Sequence, residues 1–159
     1  MEKEKLQDLM LYWKPATAED LLKRRTTNKS VTSDQLWRAS LGDTVWVVTV
    51  EDGELFLLNR LYVGEVTNRM DAIKKLGASG IWGDTEYYAI ALAGKEEPLK
   101  KISLGGVTDK LAFQSENAKS RKLNIFKGRV DPRQLQTMRI LDDSTVGLLN
   151  RIWTGTYVT

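Results

Sequence analysis

At 159 residues and 42% hydrophobic content, the chain is long enough to bury one core and reads as a single domain over residues 1–159. It has neither cysteine nor histidine, which removes disulfides, thiolate metal sites and the imidazole on which most nucleophilic and general-base constellations depend. Net charge is only +3, yet eleven lysines and arginines stand against five acids between Lys95 and Arg139, an excess that suits a polyanion as well as it suits a solvated face.

No apolar run approaches the roughly 20 residues that cross a bilayer. The opening stretch, Met1 to Met10, is charged where a signal peptide is apolar, and the lack of cysteine fits a reducing compartment. A cytoplasmic protein that meets no membrane is expected.

Glu2 to Leu11 reads as a short amphipathic helix with Leu6, Leu9 and Met10 inward, running into a brief strand through Leu11, Tyr12 and Trp13 that Pro15 ends. Thr17 stands three residues before Asp20, a weak capping pattern, and predicts a helix over Ala18 to Arg25. Thr26 to Ser33 is polar and unpatterned and is expected to be a mobile loop. Ser33 to Ser40 carries a helix-start serine and the apolar pair Leu36 and Trp37, after which Gly42 and Asp43 turn the chain. Thr44 to Val50 and Glu54 to Val66, rich in β-branched and aromatic residues and separated by Glu51, Asp52 and Gly53, predict a β-hairpin. Gly64 within the long second run marks a bend, which favours a closed or strongly coiled sheet.

Arg69 to Leu76 predicts a helix ended by Gly77, Gly77 to Asp84 a glycine-rich loop exposing Trp82, and Thr85 to Ala93 another strand. Ile102 to Leu104 reads as a strand, Gly106 to Ala112 as a helical turn, and Phe113 to Arg129 as an irregular basic arm. Pro132 to Leu141 and Ser144 to Trp153 read as two helices. The expected fold is α+β: a small, curved, mostly antiparallel β-barrel flanked by short helices, with residues 94–159 a basic arm and C-terminal helices that elaborate it.

Flat π-faces hold bases without demanding a sequence, so five tryptophans in one domain raise a stacking hypothesis. Trp46, within a strand, and Trp153, ending an amphipathic helix, are assigned to packing. Trp13, Trp37 and Trp82 lie at element ends or in a loop, where recognition residues are held by a scaffold. Ser79, Gly80 and Gly83 leave room beside Trp82. Ser40 and Asp84 offer polar atoms to read a base edge, with capping as the other reading. Asp84 and Glu86 have no following lysine, and Asp142 and Asp143 suit a helix start, so neither pair forms a metal-nuclease site. No catalytic residue, metal ligand or cofactor motif is found.

The segment LWRASLGDTVWVVTVEDGELFLLNRLYVGEV, with its Trp37 helix, its Gly42-Asp43 turn, its Trp46 strand and its close in Val63-Gly64-Glu65-Val66, resembles the barrel-opening segment of EVE proteins. These belong to the PUA-like superfamily with YTH and ASCH domains. YWKP at Tyr12 to Pro15 is similar to their tryptophan-bearing first strand, and the resemblance covers roughly Tyr12 to Ala93. Val48 and Thr49 stand where that group carries tyrosine and histidine.

The resemblance implies an aromatic pocket for a modified base, walled by Trp13, Trp37 and Trp82. The expectation is therefore a non-catalytic nucleic-acid reader of a methylated or hydroxymethylated base, in DNA rather than RNA, with Arg38, Arg121, Lys122 and Arg129 on phosphates. A nuclease effector, if there is one, belongs to a fused or separate chain. Two alternatives stand beside it: a small-molecule or protein interaction module, and an ASCH-like ribonuclease using a lysine, a tyrosine and a carboxylate, with Tyr87 and Lys122 as the residues to change.

Overall fold

The computed structural model describes residues 6–24, 27–78, 81–83, 85–114 and 121–158. Strand β1 (Asp8–Tyr12) leads into helix α1 (Pro15–Lys23) and the short strands β2 (Thr27–Asn28) and β3 (Ser30–Thr32). Strands β4 (Thr44–Glu51) and β5 (Glu54–Asn68) form the central hairpin, followed by α2 (Arg69–Leu76) and β6 (Tyr87–Ala91). Then come β7 (Glu97–Pro98), β8 (Ile102–Ser103), β9 (Ala112–Phe113), β10 (Arg121–Lys122), β11 (Ile125–Phe126), β12 (Arg129–Val130), β13 (Arg139–Ile140) and α3 (Asp143–Trp153).

The main sheet runs β13-β1-β4-β5-β6-β3, with β8 added to β5. Its pairings are antiparallel except β1 on β4, which is parallel and sets Leu9 beside Val45 and Leu11 beside Val47. The fold is thus α+β with a mixed sheet, and the expected barrel does not close: among the described residues no pairing joins β13 to β3. These end strands have two and three residues, too little backbone for a closing ladder.

β4 is buried from Thr44 to Val50, so it reads as a continuous apolar run and not as alternation. Both faces are covered. Leu9, Leu11, Trp13, Val45 and Val47 point into one core, which Ala18 and Leu21 of α1 close. Met10, Trp46 and Val48 point into the other, with Leu148, Leu149 and Trp153 of α3. A third, smaller cluster joins Ala72 of α2 to Ile81, Tyr88 and Ile90. Trp46 and Trp153 are core residues, as their positions imply.

Several local expectations give way to tertiary contacts. Asp8 to Met10 are strand and not helix, because parallel pairing with β4 outweighs a helical period carried by three side chains. Pro15 does not merely end β1; it opens α1 at the first helical position, where its missing N–H costs nothing. The supposed mobile loop at 26–33 contains β2 and β3, the latter wholly buried against β6. Ser33–Ser40 holds a single 3-10 turn, Leu36–Arg38. Pro132–Leu141 is no helix: a 3-10 turn over Pro132–Leu135 gives way to β13. Strand β13 pairs with β1, and α3 supplies Trp153 to the core.

Beneath the parallel pair, Trp46 Nε1 donates to Asp8 Oδ2 at 2.8 Å. Burial raises the Asp8 pKa above its ordinary 3.8, the Trp46 bond offsets part of this, and the charges of Asp43 and Asp143 add to the rise. A carboxyl whose folded pKa is raised costs stability while ionised, and that cost vanishes below the unfolded value. Asp8→Asn, which keeps an acceptor for Trp46, is therefore expected to raise the thermal midpoint at neutral pH, with the gain shrinking as pH falls to 3.8. An equal difference between variant and wild type at both ends of that range would refute the assignment.

Candidate functional site

Trp13 follows directly on β1 and is fixed at both backbone ends by β4. Its N–H donates to Val48 O at 2.8 Å, and its carbonyl accepts from Thr49 Oγ1 at 2.7 Å. Across the same core face stands Trp82, half-buried in the segment between α2 and β6. The two rings meet edge to face, with centroids 4.9 Å apart and planes at 86°, so they form a right-angled aromatic corner.

The loop holding Trp82 is anchored through its neighbour. Gly83 O accepts from Arg69 Nη1 at 2.8 Å and from Tyr88 Oη at 2.9 Å. A Cβ on Gly83 would stand 2.6 Å from Thr32 Cγ2, and φ there is +75°, so glycine lets the loop lie against β3. Trp82 Nε1 donates to Ser30 O on that strand, at a long 3.4 Å.

Among the described residues, two polar atoms in this corner have no hydrogen-bond partner: Trp13 Nε1 and Ser30 Oγ, in residues only 4% and 1% exposed. The core tryptophans differ, since Trp46 donates to Asp8 and Trp153 Nε1 donates to Glu97 Oε2 at 2.9 Å. A buried polar group left unpaired costs about 1–3 kcal/mol, and native proteins seldom tolerate it without a reason. Here both orphans belong to residues touching Trp82. One is an obligatory donor and the other a donor or acceptor, the complement needed to read the edge of a flat heterocycle.

The structure brings together Trp13 and Trp82 but not Trp37, which is 66% exposed on its 3-10 turn and stacks on neither ring. Ser40 is a turn residue, its N–H and hydroxyl both directed to Asp43 Oδ2. Asp84, with Ser79 and Gly80, lies outside the described residues. Arg38 donates to Met138 O, which ties it to the segment before β13. Arg121 and Lys122 lie on β10, paired with β9, whose Phe113 enters the opposite core, and Arg129 lies on β12 beside the buried Val130 of that core. Arg121, Lys122 and Arg129 therefore stand with the core opposite the tryptophan corner, whereas Arg38 is flanked by Leu36 and Ala39 of the corner's own core. Tyr87 packs on the first core, and Lys122 stands on β10 beside the second.

Ser30 escaped the sequence reading because its segment looked like loop. The one available signal was Ser30-Val31-Thr32, a β-branched pair beside a small residue, too short to stand out from polar surroundings. Compared with family models, with curated proteins and with solved structures, the chain matches none.

Proposed function

We propose that the protein is a nucleic-acid-binding domain that reads one modified base, methylated or hydroxymethylated and in DNA rather than RNA, at the Trp13–Trp82 corner. The preference for DNA, and a barrel-like sheet of the PUA-like kind, follow from the resemblance of Tyr12 to Ala93 to EVE proteins. The observation that carries the reading is the pair of orphaned buried atoms, Trp13 Nε1 and Ser30 Oγ, beside two perpendicular indoles. The flipped base stacks on Trp82, and its edge meets the Trp13 N–H and the Ser30 hydroxyl. Because both atoms are covered, the edge is read only after Trp82 gives way, and its 3.4 Å bond to Ser30 O is the contact it surrenders.

The test is fluorescence-anisotropy titration with matched DNA and RNA oligonucleotides, unmodified or carrying methylated or hydroxymethylated bases. Trp82→Ala is expected to weaken binding of the preferred modified oligonucleotide about tenfold or more, from the loss of one stacking platform. Ser30→Ala removes an unsatisfied hydroxyl, so it is expected to be at least as stable as wild type while losing discrimination between modified and unmodified bases. Indifference of every oligonucleotide to modification, at any salt concentration, would end the base-reading proposal.

A further inference from the structure

The stretch Arg121 to Arg129, RKLNIFKGR, holds four cations and no acid. Its second half folds into the tight hairpin β11–β12, in which Ile125 pairs with Val130 and Phe126 with Arg129 across a two-residue turn, Lys127-Gly128. Side chains alternate along such a ladder. Val130 enters the core, so the opposite pair, Phe126 and Arg129, faces outward. Phe126 is 74% exposed, and the Lys127 ammonium lies 5.4 Å from its ring centroid.

The hairpin stands on a fixed base. Gln134 clasps both of its ends: its Oε1 accepts from Asn124 N at 2.7 Å, and its Nε2 donates to Asn124 O at 2.9 Å and to Asp131 O at 3.3 Å. Val130 N donates to Gly53 O at 2.8 Å, and Leu123 is buried. A large apolar ring stands in solvent on a braced support, the way a rigid scaffold presents a binding residue.

The turn itself is chosen against local preference. Lys127 has φ +52° and Gly128 φ +76°. Two successive positive φ values mark the hairpin turn that asparagine or aspartate followed by glycine fills best, and lysine accepts this conformation reluctantly. The position therefore sacrifices some turn stability to put a cation at the tip.

Among the described residues, Arg121, Lys122, Lys127 and Arg129 have no carboxylate partner, whereas Lys23, Arg24, Arg60, Lys75, Lys101 and Arg133 each pair with one. Positive charge is concentrated further beside them, since Arg139 stacks 3.9 Å over Phe113, the residue opposite Arg121. Burial and then the Arg121 charge lower the Arg139 pKa. Arg129 shares a cleft with Asp52, Glu54 and Asp109, which weakens it as a ligand for an anion.

We propose that the β11–β12 hairpin is a second nucleic-acid contact, in which Phe126 stacks on a base of a single strand while Lys127, Arg121 and Lys122 meet its phosphates. An aromatic face flanked by unpaired cations is the combination that binds a single strand without reading its sequence. One ring and a half-covered isoleucine give too little apolar area for lipid insertion, which favours nucleic acid over an anionic membrane. The contact does not rest on the base-reading proposal, because the hairpin stands over the opposite core and no modified base is required.

The test uses the full chain and a short labelled oligothymidylate, unmodified, titrated by anisotropy at several salt concentrations. Phe126→Ala is expected to weaken binding about tenfold or more. Lys127→Asn is expected to weaken binding and to reduce the salt slope by about 0.7, the share of one phosphate contact on a single strand. Asparagine suits that turn, so this variant is expected to melt no lower than wild type, and its loss of binding does not reduce to unfolding. Unchanged affinity in both variants overturns the proposal. So does binding of phosphatidylserine vesicles that depends on Phe126 while the oligonucleotide goes unbound. Retained oligothymidylate binding by Trp82→Ala, with loss in Phe126→Ala, upholds this contact even if no modified base is ever preferred.

Discussion

Glu97→Ala is expected to lower the unfolding free energy by about 2–3 kcal/mol in urea titrations at neutral pH, because it strands a largely covered guanidinium. Arg60 holds Glu97 through two bonds, Nε to Oε1 at 2.7 Å and Nη2 to Oε2 at 2.9 Å. Glu97 Oε2 also accepts from Trp153 Nε1 at 2.9 Å, and Arg60 Nη1 donates to Asn150 Oδ1 at 2.8 Å. One carboxylate thus ties the central strand β5 to α3 through side chains only 13% and 23% exposed. Burial by itself raises the Glu97 pKa, but the bonds from Arg60 and Trp153 and the charges of Arg60 and Lys100 reverse this and hold it below 4.5. A depressed carboxyl contributes stability that is complete above the unfolded value and is lost as pH falls through the folded one. Wild type should therefore lose stability below pH 4.5, and Glu97→Gln, which keeps the shape but not the charge, should show a flatter acid limb. If Glu97→Ala unfolds at the wild-type urea midpoint, the network contributes nothing.

None of this network was legible beforehand, and the reason is physical. Arg60, Glu97, Asn150 and Trp153 come from distant parts of the chain, and pairing across such separations leaves no periodic trace. What the sequence does encode is local: the β-branched runs on either side of Asp52-Gly53 give the β4–β5 hairpin, and Arg69 to Leu76 with Gly77 gives α2 with its stop. Two-residue strands such as β2, β7 and β13 exist only because a partner is there, so no propensity announces them. The candidate site divides the same way. Trp13 and Trp82 are visible as aromatics at element ends, whereas Ser30 is visible only once β3 is folded against β6. Phe126 and Lys127 were within reach as part of a basic arm, but their outward placement depends on which face of β12 Val130 buries.

Gly64→Ala is the second large effect expected, about 3 kcal/mol of lost stability. Gly64 is the extra residue of a bulge: Val63 faces Ala91 and Glu65 faces Ile90, so Gly64 has no partner of its own. At this point β5 leaves β4, whose last pair at this end is Thr44 with Tyr62, and takes up β6. The corner is tight because Leu92 N donates to Tyr62 O at 2.7 Å. A Cβ on Gly64 would stand 2.8 Å from Leu92 Cα, 3.1 Å from Leu92 N and 3.3 Å from Ala91 O. These neighbours are backbone atoms, so no rotamer change relieves the clash and the strands themselves must separate. Sequence reading took Gly64 for a bend, and the crowding at Leu92 is its structural cause. The displacement travels directly to the candidate site, since β6 carries Tyr88, whose hydroxyl holds Gly83 beside Trp82. Hydrogen exchange should therefore accelerate at Tyr87 to Ala91 in Gly64→Ala, together with the fall in urea midpoint. Faster exchange confined to β4, or a midpoint equal to wild type, would show that the corner tolerates a side chain and that β6 is held by other contacts.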